Sequence, residues 1–277
     1  MPFRVNPPKS LKDLFSPGGR TVAGMFLNSG DAGIAEICAG SGLDYLLIDA
    51  EHGPSGLESV LAQLRAIAGY PTVAVVRVPA NDPVAIKQYL DLGAQSLIVP
   101  MVDDADAARR AVAATRYAPA GMRGVGSALA RSARWNRVPD YLARANEFIT
   151  LLVQIESADA VANAADIAGT DGIDGVFIGP SDLAATMGLL GQQDHTDVVD
   201  AVVRTIGAVK TAGKIVGVNA FVEAQARAYL EAGADFVNVG ADVALLARGT
   251  EALAATFIGE TPNENGTRHD AGTPASY

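Results

Sequence analysis

One cysteine, three histidines and five lysines among 277 residues are few, and each shortage closes off a class of function. Cys38 has no second cysteine to bond, so an internal disulfide is excluded, and this usage fits a reducing cytoplasm. No HxxxH or CxxC spacing occurs, which argues against a zinc centre. Basic residues are outnumbered, 21 Lys+Arg against 31 Asp+Glu for a net charge of −10, whereas nucleic-acid binding needs a clustered positive surface. No apolar run reaches the roughly 20 residues of a membrane-spanning helix. The opening MPFRVNPPKSLKDLF lacks the apolar stretch of a signal peptide, so a cytoplasmic location is expected. A Gly-rich dinucleotide turn is missing too, because NSGDAG after the first apolar run lacks GxGxxG spacing. Disorder is excluded by composition, 49% hydrophobic against 19% charged.

What the chain does have is an alternation of short apolar runs with longer amphipathic segments. The runs begin at Thr21, Leu43, Pro71, Ala94, Phe148, Gly172, Lys214 and Asp235, each rich in Val, Ile or Leu and nearly continuous. Continuous rather than alternating apolar runs mark parallel strands buried on both faces. Between them, segments such as SGLESVLAQLRAIAG and DADAARRAVAATRYA open on Ser or Asp and predict helices. Eight such units without a change of composition predict one α/β domain, a single (β/α)8 barrel over residues 21–261, with an open doubly wound sheet as the alternative. Residues 1–20 read as an N-terminal extension and 262–277, polar and Gly/Pro-punctuated, as a disordered tail. Residues 119–147 also lie outside the repeat and carry Arg123, Arg131, Arg134, Arg137 and Arg144, expected to be solvated for the most part, or to form a subunit contact or supply a neighbour's site with a carboxylate anchor such as Arg123.

Barrel enzymes place their reactive groups at the C-terminal ends of strands. The second run ends in Asp49, Glu51 and His52, the third in Arg77, the fifth in Gln154 and Glu156, and the sixth leads into Ser181 and Asp182. The other strands end in milder residues, which gathers the polar groups on one side of the mouth. Pleating places Leu152, Gln154 and Glu156 on one face and Leu151, Val153 and Ile155 on the other; the wholly apolar face must meet the helices, so Gln154 and Glu156 point inward. A buried ion pair between strands would explain any one of these residues, but not so many opposed charges at one mouth. Glu156 and Asp182 offer two hard oxygen ligands, a pattern suited to Mg²⁺ or Mn²⁺. A helical turn near Ser181 would leave the N–H groups of Ser181 and Asp182 free for an anion, or make Ser181 a plain N-cap. Asp49 and His52 are expected to pair, Asp49 orienting the imidazole, unless His52 is simply a hydrogen-bonded loop residue. None of Lys9, Lys12, Lys87, Lys210 and Lys214 falls at the mouth, so a Schiff-base mechanism has no amine.

The blocks DAEHGP, VVRVP, DLGAQSLIVPMV, GMRGVGSALA, LLVQIES and DGIDGVFIGPSDL, in that order, resemble the HpcH/HpaI aldolase family from about Thr21 to Gly259. The resemblance implies a metal-dependent carbon–carbon lyase that splits 2-keto-4-hydroxy acids, such as 4-hydroxy-2-oxoheptanedioate, into pyruvate and an aldehyde. It implies Glu156 and Asp182 as ligands of a divalent ion (Mg²⁺, Mn²⁺ or Co²⁺), Arg77 on the enolate oxygen, Gln154 in support and His52 with Asp49 as acid/base. The N–H groups of Ser181 and Asp182 would take the pyruvate carboxylate. Asp91 matches an aspartate supplied by a neighbouring subunit, consistent with its place at the end of the third helix, away from its own mouth. That implies a homo-oligomer, a trimer or hexamer, with sites at subunit interfaces, while the acidic charge balance and the short apolar runs leave no nucleic-acid or membrane partner expected. Phe26 stands where some members carry Trp. Alternatives are an aldolase for sugar-derived 2-keto-3-deoxy acids, an acyl-CoA lyase of the same superfamily, and a non-catalytic keto-acid-binding barrel.

Overall fold

The computed structural model describes residues 4–16 and 19–258. Eight parallel strands form the centre: β1 (Val22–Leu27), β2 (Tyr45–Asp49), β3 (Val73–Arg77), β4 (Ser96–Val99), β5 (Thr150–Ile155), β6 (Gly175–Ile178), β7 (Ile215–Asn219) and β8 (Phe236–Ala241). Each pairs with the next and β8 with β1, closing the barrel that the eight apolar runs predict. The helices are α1 (Ala32–Ala39), α2 (Leu57–Ile67), α3 (Pro83–Asp91), α4 (Ala105–Thr115), α5 (Tyr141–Phe148), α6 (Ala158–Ala162), α7 (Ala164–Ala168), α8 (Pro180–Thr186), α9 (Thr196–Thr211), α10 (Glu223–Glu231) and α11 (Asp242–Ile258). Asp31, Asp82 and Asp104 cap α1, α3 and α4 by accepting backbone N–H groups of the first turn.

Two cores result from the pleat. Leu46, Ile48, Val76, Leu97, Val153, Ile155 and Val218 face outward and pack under the helices. Tyr45, Leu47, Val73, Val75, Ile98, Leu152, Phe177 and Phe236 fill the barrel itself. Small residues make room for the large ones: a Cβ on Gly217 would stand 2.0 Å from the Phe236 ring, so only glycine fits there. The lower end is closed from outside the repeat. Leu11, in a 3₁₀ turn, is fully buried in the inner core; its N–H donates to Ser96 Oγ at 2.8 Å, and the Lys12 N–H to Thr150 Oγ1 at 3.1 Å. Residues 10–15 thus belong to the barrel's packing. Residues 262–277 lie outside the described residues.

The arginine-rich stretch departs from the expectation of solvated side chains. The Arg123 side chain is wholly buried, over the Tyr117 ring at 4.7 Å and 3.1 Å from Asp91. Arg131 donates to the Leu92 carbonyl at 2.9 Å, and burial with neighbouring Arg134 lowers its pKa to about 10. Only Arg137 and Arg144 among the five are exposed. The segment folds back on the end of α3, and that packing withdraws the other three from water.

Helix α11 is the element with least cover. Only Asp242 of its residues is buried, while Val243, Leu245, Leu246, Leu253, Phe257 and Ile258 are exposed. Among the described residues no helix is long and apolar enough to cross a membrane.

Candidate active site

Strand register brings the first pair together. Asp49 and Arg77 are direct neighbours at the ends of β2 and β3, both on the inward face. Their side chains form a two-pronged ion pair: Arg77 Nε donates to Asp49 Oδ1 at 2.9 Å and Nη2 to Oδ2 at 2.7 Å. The pair is out of water, 7% exposed on the Arg77 side and 1% on the Asp49 side. Burial alone would raise the Asp49 pKa, but the Arg77 hydrogen bonds and charge outweigh it and hold the carboxylate below its ordinary value. Burial likewise opposes the Arg77 charge, and Asp49 with Glu51 and Glu156 more than restores it. The third guanidinium nitrogen, Nη1, faces Glu51 Oε2 at 3.2 Å, and the plane of the group lies 4.9 Å from the Phe26 ring.

This geometry corrects the expected Asp49–His52 pairing. Asp49 meets His52 only through the backbone N–H, at 3.3 Å, and its carboxylate is taken by Arg77 and Asn28. The imidazole is 62% exposed at the rim, and the carboxylate facing it is Glu51, at 3.8 Å from Nε2.

Glu156 closes the other side. One oxygen accepts the Met101 N–H at 2.7 Å and the other the Gln154 side-chain amide. Met101 has φ +53°, a left-handed backbone that few side chains adopt, and it aims that N–H into the barrel. Burial raises the Glu156 pKa to about 7 despite the Met101 N–H, with Glu51 and Asp182 adding repulsion. Glu51 is raised by burial and by Asp49 and Asp182, against the pull of Arg77. Asp182 therefore shares this space with both glutamates. Three carboxylates thus act on one guanidinium whose Nε and Nη2 are already committed, Asp182 adds a fourth negative charge beside the two glutamates, and a cation fits the excess. Among the described residues no group of three or more His, Cys, Asp and Glu is built as a metal cage. Glu156 and Asp182 remain as a two-carboxylate set of the kind that hard cations complete with substrate and water oxygens.

Helix α8 starts at Pro180, so the N–H groups of Ser181 and Asp182 precede its first internal bond, from Leu183 N–H to the Gly179 carbonyl at 3.1 Å. Gly179 keeps the approach open, since a Cβ there would stand 3.0 Å from Gln154 Nε2 and 3.1 Å from Glu156 Oε2. The Gln154 amide oxygen is buried without a donor among the described residues.

The structure thus gathers Asp49, Arg77, Gln154, Glu156, Ser181 and Asp182 at the mouth, with His52 on its rim. Asp91 is not among them: it ends α3 beside Arg123, at the opposite end of the barrel. Three groups escaped the sequence reading. Asn28 follows β1, Asp242 follows β8 and the Met101 N–H follows β4, so the polar set reaches strands that seemed mild. Asn28 was visible as a polar residue at a strand end; nothing in the sequence marks a backbone N–H.

A parallel barrel with acidic groups, one clamped arginine and free helix N–H groups at its C-terminal mouth is an enzyme of small, oxygen-rich acids. The chain belongs to the HpcH/HpaI aldolase/citrate lyase family, whose model matches residues 22–249, and it is a carbon–carbon lyase. It is 56% identical over 242 residues to a 4-hydroxy-2-oxo-heptane-1,7-dioate aldolase of Salmonella dublin, covering 87% of this chain and 92% of that one. An HpcH/HpaI aldolase/citrate lyase family protein of Burkholderia cenocepacia J2315 has a TM-score of 0.82 at 41% identity, over 86% of this chain and 95% of that structure. The citrate synthase SbnG has a TM-score of 0.79 at 29% identity, over 89% and 96%.

Proposed function

We propose that the chain is a metal-dependent aldolase that splits 4-hydroxy-2-oxo acids, with 4-hydroxy-2-oxoheptanedioate as the leading substrate, into pyruvate and an aldehyde such as succinate semialdehyde. The observation that carries the reading is the crowding of Asp49, Glu51 and Glu156 around the single guanidinium of Arg77, with Asp182 adding its charge beside the two glutamates. Glu156 and Asp182 would hold a divalent ion (Mg²⁺, Mn²⁺ or Co²⁺), which when bound polarises the 2-keto group and offsets charge growing on its oxygen. The N–H groups of Ser181 and Asp182 receive the substrate carboxylate, as the start of a helix suits an anion. Arg77, held by Asp49 with Nη1 beside Glu51, meets the C2 oxygen as the C3–C4 bond breaks and the enolate forms. Gln154 fixes Glu156 and lends a free amide oxygen to the site. His52 removes the proton of the C4 hydroxyl and returns one to C3 of the enolate, with Glu51 as the carboxylate facing its ring.

Cleavage is tested by following pyruvate release after chelation and after return of Mn²⁺. The expected result is loss with EDTA, recovery with Mn²⁺, and no recovery in Glu156→Ala; parental turnover in excess EDTA, with metal shown absent by elemental analysis, removes the metal from the mechanism. We further propose a homo-oligomer, a trimer or hexamer, supported by the uncovered apolar face of α11. In it Asp91, out of reach of its own mouth, reaches the site of a neighbour. The aldolase unit is residues 21–261, with 1–20 as an extension, and it works in the cytoplasm, in keeping with an unpaired Cys38.

A further inference from the structure

The Asp49–Arg77 clamp is itself held, and the chain of contacts leads out of the site. Asn28 Nδ2 donates to Asp49 Oδ2 at 2.7 Å. The Asn28 and Ser29 backbone N–H groups donate to Asp242 Oδ1 and Oδ2, at 2.7 and 3.1 Å. Asp242 is buried, and as the first residue of α11 it also accepts the N–H of Val243 at 2.8 Å. Asp49 then takes two donors from Arg77, one from Asn28 and the backbone N–H groups of Glu51 and His52. That exhausts the roughly four lone-pair directions of a carboxylate and leaves Asp49 one orientation.

We propose that Asn28 and Asp242 are positioning residues for Arg77. Asp242 fixes the turn after β1, Asn28 transmits that placement to Asp49, and Asp49 sets the plane of the guanidinium. Because Asp242 opens α11, the same contacts tie the reacting end of Arg77 to the start of that helix. The inference rests on the aldolase reading of Arg77.

Steady-state kinetics of pyruvate release by the full chain, with saturating Mn²⁺, test it through Asn28→Ala, Asp242→Asn, Arg77→Lys and their pairs. A hydrogen bond to a charged group justifies expecting about a tenfold fall in kcat for Asn28→Ala. KM should move little, since the guanidinium meets charge that appears in the transition state. Asn28→Ala loses the bond to Asp49 from the folded state as well, so its urea midpoint should fall modestly, and an assay well below that midpoint separates misplacement from unfolding. Asn28→Ala should add nothing to Arg77→Lys or to Asp242→Asn, because all act through one path. A kcat for Asn28→Ala within about twofold of the parent, or losses that multiply in the pairs, overturns the proposal. Parental turnover by Arg77→Lys instead removes the underlying role of Arg77; impaired Arg77→Lys beside unimpaired Asn28→Ala removes the link alone.

Discussion

Removing the Asp49 carboxylate should be among the most damaging single changes to this barrel's stability. In Asp49→Ala the Arg77 guanidinium, 7% exposed, loses both prongs of its partner and retains Glu51 at 3.2 Å and the more distant charge of Glu156. Breaking a buried pair by deleting one member costs about 3–5 kcal/mol, because the surviving charge stays buried without compensation. Glu51 softens that loss, so the low end, about 3 kcal/mol, is expected. Urea unfolding at pH 7 and fixed protein concentration measures it as a lowered midpoint. The exposed i,i+4 pair of Glu223 and Arg227 is the control, and Glu223→Ala should leave the midpoint in place. The pH dependence follows from the direction of the shift. The Asp49 pKa is depressed in the folded state from its ordinary 3.8, so its contribution is full above that value. It is lost as pH falls through the depressed value, so the gap between parent and variant should close only below about 4, apart from a smaller change above that value from Glu51, whose pKa Asp49 raises. A variant within about 1 kcal/mol of the parent at pH 7 would place this pair with surface ion pairs and refute the reasoning.

Three further outcomes follow from other parts of the molecule. Gly217→Ala puts a Cβ 2.0 Å from the Phe236 ring and should cost about 1–3 kcal/mol of stability through overpacking, read as a lower urea midpoint; an unchanged midpoint would show that the ring moves aside freely. Burial raises the Asp174 pKa against Leu151 N–H, Lys12, Lys214 and Arg116. A raised folded value means that the stability penalty is absent below its ordinary 3.8 and grows as pH rises through the folded pKa, so Asp174→Asn should gain over the parent from acid to neutral pH, and a gain independent of pH would contradict it. Leu246→Asp, on the exposed face of α11, should shift the molecular mass seen by light scattering toward the monomer, and an unchanged mass would free that face of a role in assembly.

The barrel was legible because strands covered on both faces leave continuous Val, Ile and Leu runs, and eight of them occur in order. Gln154 and Glu156 could be turned inward from parity alone, since the opposite face of β5 carries only apolar side chains. The partner of Asp49 could not be read in this way. His52 is close in sequence and invited a pairing, whereas Arg77 is brought alongside by the β2–β3 register, which depends on strand geometry far from either residue. The same limit hid the Asp242–Asn28 contact, which spans 214 positions and exists only because β8 closes onto β1. The arginine-rich segment misled for another reason. Charge alone predicts solvation, but Tyr117, Tyr141 and the end of α3 form an enclosure for Arg123 that composition does not announce.

Leu11 and Lys12 at the base of the barrel carry a further consequence for how the protein is made. These residues leave the ribosome early, yet their acceptors, Ser96 and Thr150, arrive 85 and 138 positions later. Until β4 and β5 have emerged and curled around, the plug has no seat, and its apolar side chains must wait in water or in a chaperone's keeping. A segment synthesised ahead of every strand is thus among the last to settle, and it stoppers the barrel once the staves are in place.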